Sequence, residues 1–405
     1  MGNERATPPL TLRDRNRQQV LLAMRERGSA SQTELVRLTG LSRSTVSSIV
    51  GDLRAARVIV ETPERAGEAN GRRGGRPAIA LRVRKESGAA VAVDFGHAHV
   101  QVAVADLHME ILARRFRDVA VDAAASDAID CAAAMVEEVL AVAGLQRSDV
   151  VGVGIGVPGP VDQARGLVGS STILPGWVGV RVAEEMEARL GLPVEIDNDA
   201  NLGALAELSV GAALGASEVV YIKASTGIGA GLIIGGRLHR GASGTAGEIG
   251  HTTIDENGEL CHCGNRGCLE TVAGGPAIVN MVRRGSAGLT FTRVLARAAE
   301  GDPVCRRALS DAGRQIGVAV AGLCNLLNPE RVVIGGLLSR AGDLVLDQVR
   351  ESVSRCAVSA AAERLQVVPA LLGDSAELRG ALALVVRGPN PVFAARFLAP
   401  ARGGA

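Results

Sequence analysis

The sequence predicts a basic, helical head followed by a larger α/β body, and three observations carry that reading. Residues 1–86 hold 17 Lys+Arg against 9 Asp+Glu, whereas the remainder holds 27 against 34. Within the head, apolar residues recur at helical spacing. From Ser87 onward they form short buried runs of Val, Ile, Ala and Gly that end in polar clusters. The 405 residues suffice for two or three domains, each with its own core. Hydrophobic residues make up 47% but aromatics only 2%, so those cores must be aliphatic. The longest uncharged runs, Gly166–Val180 and Gln315–Pro329, are 15 residues each, short of the roughly 20 a spanning helix needs. No apolar signal core follows the first charges, so the expectation is a soluble cytoplasmic protein without membrane insertion.

In the head, DRNRQQVLLAMRER places Val20, Leu21 and Met24 on one face, and Gly28 ends that helix. Ser31 and Glu34 have the spacing of a capping box, with Leu35 and Leu38 on the buried face behind it and Gly40 as a turn. Ser42 caps the next helix, whose buried line is Val46, Ile49, Val50 and Leu53. Its opposite face, Arg43, Ser44, Thr45, Ser47 and Ser48, is short and rich in hydroxyls, which suits a recognition helix reading a major groove. Strands near Val58–Glu61 and Ala78–Val83 flank a Gly-rich loop bearing Arg65, Arg72, Arg73 and Arg76. The whole reads as a winged helix-turn-helix over residues 1–85, with operator DNA as its partner and the wing arginines on phosphates or a minor groove.

The body continues with GAAVAVDFG, VQVAVADLH and EILARRFRDV, a strand succession typical of a meander, and a helix over Ala128–Ala143. VVGVGIGVPGPVD and PVEIDNDAN are buried strands that end in Gly, Pro and polar residues. A helix follows the second, then SEVVYIKASTGIGAGLIIGGRLHRG, a strand, a Gly turn and a strand. RVVIGGLLSR is a late strand with a further Gly turn. Polar groups at strand ends mark where open α/β sheets place ligands.

At this point the motifs become recognisable. GVGIGVPGPVD, ILPGW, IDNDAN, STGIGAGLIIGGRLHRGASGTAGEIGH, CHCGNRGCLE and RVVIGGLLS stand in an order and spacing that resemble the ROK family of repressors, open reading frames and kinases. The fused head resembles that of its transcriptional regulators. The resemblance implies an actin/hexokinase-like (ribonuclease H-like) fold of two α/β lobes around a sugar cleft. The lobes are expected over 86–205 with 375–405, and over 206–374, the second holding a metal site and an oligomerisation surface. It implies a sugar-responsive regulator, expected to be a repressor of carbohydrate-utilisation genes, acting as a homodimer or homotetramer. The alternatives are an active ATP-dependent sugar kinase with a fused head, and a module answering to a transport-system protein.

His251, Cys261, Cys263 and Cys268 offer three thiolates and an imidazole, the closed donor set of structural zinc. His262 competes with His251 as the fourth ligand. The four other cysteines, Cys131, Cys305, Cys324 and Cys356, read as buried thiols, and an odd count argues against a disulfide framework. Asn198, Asp199, Glu248, His251 and Glu270 match the family's sugar-contacting positions, and the residue matching Asp199 is the general base in family kinases. The plainer reading of Asp199 is a turn or helix cap. Family kinases carry an Asp-x-Gly-Gly-Thr-Lys type of phosphate loop, where this sequence has Asp94-Phe95-Gly96-His97-Ala98-His99. The resemblance therefore implies no catalytic residue, with Asp199 holding sugar without phosphorylating it.

Overall fold

The structure is a computed structural model that describes residues 11–27, 29–56, 58–63, 79–84, 87–162, 165–168, 174–283 and 288–387. The head consists of α1 (Leu12–Arg27), α2 (Gln32–Thr39), α3 (Arg43–Ala55), β1 (Ile59–Pro63) and β2 (Ile79–Val83). The capping box forms: Ser31 Oγ accepts from the Glu34 amide, and Glu34 Oε2 accepts from the Ser31 amide at 2.8 Å. Ser42 caps α3 through the Thr45 amide, and Val46, Ile49, Val50 and Leu53 are buried. Leu38 departs from expectation, being 40% exposed. The inward line of the eight-residue α2 runs from Leu35 to Thr39, and the Thr39 hydroxyl donates to the Leu35 carbonyl at 2.6 Å. Strands β1 and β2 pair antiparallel from Ile59↔Val83 to Pro63↔Ile79, and Ala30 adds a bridge to Leu81. The wing residues Arg65, Arg72, Arg73 and Arg76 lie outside the described residues.

Lobe 1 runs β3 (Ala89–Phe95), β4 (His99–Asp106), β5 (Ile111–Asp118), α4 (Ala125–Ala143), β6 (Val150–Val157), β7 (Val161–Asp162), β8 (Leu167–Val168), α5 (Val182–Leu190) and β9 (Val194–Asn198), and α6 (Asp199–Val210) follows, packed mainly on the sheet of lobe 2. Lobe 2 runs β10 (Val219–Ala224), β11 (Ile228–Ile234), β12 (Arg237–His239), α7 (Glu270–Ala273), α8 (Gly275–Val282), α9 (Phe291–Ala299), α10 (Pro303–Leu327), β13 (Arg331–Gly335), α11 (Asp343–Cys356), α12 (Ser359–Ala362) and β14 (Gln366–Pro369). The two five-stranded sheets have the same topology, β5-β4-β3-β6-β9 and β12-β11-β10-β13-β14. Each is an antiparallel meander of three strands followed by two parallel strands beside the first. Parallel neighbours need helical crossovers, which is why the helices coat the sheets and leave the strand ends free at the cleft.

The last described helix, α13 (Ala376–Arg387), leaves lobe 2 and packs on α6 and on β3 and β6 of lobe 1. Leu382, Val385 and Val386 of α13 join Ala90, Ala92 and Ala103 of the lobe 1 sheet in one apolar cluster, and that cluster continues into the head through Val20, Leu21, Met24 and Val83. The head is thus packed against the body rather than only tethered to it. Cys305 and Cys324 are buried as expected, but Cys131 is half-buried and Cys356, the last residue of α11, is exposed because the helix has run past the core there. Among the described residues no helix is long and apolar enough to cross a membrane.

Candidate ligand site and metal centre

Strand β9 ends at Asn198 and α6 starts at Asp199, so both residues sit at the strand-to-helix junction. Asn198 is the helix cap: its Oδ1 accepts from the Ala200 and Asn201 amides at 2.9 and 3.3 Å, and its Nδ2 donates to the Gly159 carbonyl at 2.9 Å. Asp199 is left to face the cleft. There it meets Lys223 of β10, whose Nζ lies 2.7 Å from Asp199 Oδ2 and 2.9 Å from Glu377 Oε1 of α13. Burial alone would lower the ammonium's pKa, but Asp199, Glu377 and the more distant Asp94 outweigh it and hold the cation charged. Burial pushes the Glu377 carboxyl up, and Lys223 opposes that shift. Lys223 and Glu377 were not among the candidates read from sequence. The signal was present, because Lys223 is one of two lysines in the chain and stands inside an apolar strand.

The opposite wall comes from the loop after β12. Glu248 opens a short 3-10 turn that presents His251, and α7 begins at Glu270. Burial, with Asp199 and Glu270 nearby, pushes the Glu248 carboxyl up. Glu270 Oε2 accepts from the Ile228 amide at 3.0 Å, and its Oε1 meets His262 Nε2 at 2.7 Å. Glu248, Asp199 and Glu270 are therefore gathered in one place. A carboxylate has about four acceptor sites, so these contacts leave room for ligand hydroxyls.

The metal candidates form two overlapping sets, His251, Cys261, Cys263 and Cys268, and His251, Cys261, His262 and Glu270, each with donor atoms within 4.8 Å of one another. In the first, Cys263 Sγ lies 3.7 Å from Cys268 Sγ, and Cys261 Sγ lies 3.6 Å from His251 Nδ1. A zinc tetrahedron with Zn–S of ~2.3 Å and Zn–N of ~2.0 Å has S···S edges of about 3.8 Å and S···N edges of about 3.5 Å. The residues fit the ion. Burial pushes the Cys268 thiol up to about 12 and holds His251 below its usual range, so the imidazole is in its neutral, ligating form. His262 turns instead to Glu270, with its ring edge-on to His251 at 5.1 Å.

The β3–β4 hairpin carries Asp94, Gly96 and His99. The His99 ring folds over Gly96: a Cβ built on that glycine would lie 2.1 Å from His99 Cε1. The ring also stacks on Phe116 at 5.3 Å and stands 3.4 Å from Asp94 Oδ2. Across the cleft the Ser225–Gly229 turn of the β10–β11 hairpin is held by the Ser225 amide on the Gly227 carbonyl at 2.9 Å. In the head, Arg43, Ser44, Ser47 and Ser48 are exposed, while Thr45 is half-buried with its hydroxyl 2.8 Å from Ser42 Oγ.

A profile of the ROK family matches residues 90–387, and one of the MarR family matches 15–72. The chain is 30% identical to the xylose repressor of Caldicellulosiruptor bescii over 389 residues, 93% of this chain and 96% of that one. It is 32% identical to the glucokinase of Thermotoga maritima over 310 residues, 73% of this chain and 96% of the kinase. A solved ROK family transcriptional regulator, described as a homologue of the E. coli MLC protein, superposes with a TM-score of 0.80 at 27% identity, over 96% of this chain and 98% of its own. The repressor and the regulator are matched through head and body alike. With the body matched over 90–387 and the head over 15–72, the chain belongs to the ROK family, with an N-terminal winged helix of the MarR type.

Proposed function

We propose that this chain is a repressor of carbohydrate-utilisation genes whose hold on double-stranded operator DNA is set by a sugar in the cleft. The observation that carries the reading is the joining of a winged helix and a ROK body in one chain that is matched along 93% of its length by a xylose repressor. In this reading Arg43, Ser44, Thr45, Ser47 and Ser48 of α3, with Arg72, Arg73 and Arg76 of the wing, contact DNA. Asp199, Glu248 and Glu270 accept hydrogen bonds from hydroxyls of the sugar, His251 lines the same wall, and Asn198 holds Asp199 in place as the cap of its helix. A zinc ion on His251, Cys261, Cys263 and Cys268 would neutralise the thiolates and fix the 251–268 loop beside Glu248 and Glu270. The protein works in the cytoplasm as a homodimer or homotetramer, which lets two recognition helices meet successive major grooves.

The kinase reading is the weaker one. Phosphoryl transfer requires backbone amides around the phosphates, and the His99 ring lies on the backbone that would supply them. Asp199, the position of the base, already has one oxygen on Lys223. The deciding experiment measures operator affinity with and without a saturating sugar, drawn from a panel of pentoses and hexoses, for the wild type and Asp199→Ala. The wild type is expected to shift by about 5–150-fold, the range of a coupling free energy of ~1–3 kcal/mol. Asp199→Ala is expected to bind DNA without responding. A mutant that responds like the wild type places the effector elsewhere, and a sugar-dependent consumption of ATP reinstates the kinase.

A further inference from the structure

We propose that Lys223 is the positioning residue through which a ligand at Asp199 is felt by α13, and through α13 by the DNA-binding head. The proposal rests on the sugar reading of Asp199 given above. Lys223 stands on the central strand of lobe 2; Asp199 opens α6, which packs on β10 and β11 of that same sheet and on α13, whereas Glu377 opens α13, which packs on β3 and β6 of lobe 1. Through Glu377 the ammonium ties the lobe 2 sheet to the helix that covers the lobe 1 sheet. It is shared between Asp199, which lies near Glu248 and Glu270, and Glu377 of α13, and all three side chains are at most 19% exposed.

Sharing makes the contact responsive. A hydroxyl that donates to Asp199 weakens that carboxylate's hold on Lys223, and the balance moves toward Glu377. Glu377 lies in the first turn of α13. The helix of 12 residues moves as one body about 18 Å long, and its far turns, Leu382 to Val386, belong to the apolar cluster that includes Val20, Leu21 and Met24 of α1. Packed apolar surfaces have discrete arrangements rather than a soft continuum, so a shift at one end is passed on as repacking at the other. Well-packed apolar residues of similar volume commonly do as well as buried ion pairs, so stability alone does not call for the triad.

The test compares the full-length wild type with Glu377→Gln and Lys223→Met. The DNA probe is a duplex selected by the wild type from a random library, and sugar binding is read by calorimetry with D-xylose and D-glucose. Glu377→Gln keeps the shape of the side chain and removes its charge. It is expected to bind sugar within about threefold of the wild type while its operator affinity changes by less than about twofold on saturation, against about 5–150-fold for the wild type. Lys223→Met is expected to lose the response as well. A purely packing role for the triad would weaken sugar binding and thermal stability together and leave the response ratio in place; that result, or a Glu377→Gln variant that responds like the wild type, overturns the relay. Should no sugar of the panel shift the wild type, the sugar reading itself falls. Asp199→Ala separates the two ideas, because it loses sugar binding where Glu377→Gln retains it.

Discussion

Gly380 of α13 lies so close to Leu202 of α6 that a Cβ on it would stand 2.0 Å from the Leu202 carbonyl oxygen. At an exposed helix position Gly→Ala stabilises by about 1 kcal/mol. Here the neighbour is backbone and cannot move aside. Gly380→Ala is therefore expected to destabilise by about 1–3 kcal/mol, the range of overpacking, read from urea unfolding monitored at the buried Trp177. A variant more stable than the wild type would show that the two helices are not in this contact.

The metal cluster predicts about one zinc per chain by elemental analysis. Cys263→Ser should lose it, because a hydroxyl replaces one thiolate of the closed set. A loss of roughly 3 kcal/mol would lower the melting temperature by about 6–12 °C for a unit of lobe size. Metal-free wild-type protein of unchanged stability would contradict the assignment.

Arg43 predicts an unusual pair of effects. It is the first residue of α3, where a positive charge opposes the helix dipole at a cost of about 0.3–1 kcal/mol. Arg43→Ala should thus fold slightly more stably, since the Ser42 cap is untouched, and yet bind operator DNA about 5–150-fold more weakly, as for the loss of ~1–3 kcal/mol in a base or phosphate contact. Shift assays across salt concentrations report the affinity and thermal melts the stability. Equal affinity in both proteins would remove Arg43 from the interface.

Cysteine labelling provides a fourth check. Burial pushes the Cys324 thiol up to about 11, so at pH 8 about one molecule in a thousand carries the thiolate. Native protein treated with iodoacetamide is expected to label Cys356, which is exposed, and to leave Cys324 and Cys305 intact until denaturant is added. Mass spectrometry of the alkylated peptides reads the result, and rapid labelling of Cys324 would contradict the packing of α10.

Short-range features were legible in the sequence, because their partners lie within a few residues. The Ser31–Glu34 capping box, the Ser42 cap and the buried line of α3 all formed as read. The phase of α2 was not, since two turns do not distinguish Leu38 from Thr39 as the inward residue. At the site, the IDNDAN motif announced a helix start, and the structure assigns the capping to Asn198 and leaves Asp199 for the cleft. Lys223 was visible as an oddity, but its partners stand 24 and 154 positions away in the chain, Asp199 and Glu377. No local pattern encodes such a pairing. The His99 ring over Gly96 is intermediate: the missing glycine and lysine were plain, while the ring's place on the loop required the hairpin and Phe116.

The packing of α13 also has a consequence for synthesis. Lobe 1 begins at β3, yet its inner face, with Ala90, Ala92 and Ala103, is covered by a helix encoded about 290 residues later. As the chain leaves the ribosome, the head and the lobe 1 sheet wait with that surface open until Ala376–Arg387 emerges. Such a wait is when apolar surfaces find wrong partners. The head thus takes part of its orientation from the last described helix, so a chain truncated before α13 retains the helix-turn-helix but loses one of the apolar surfaces that hold it against the body.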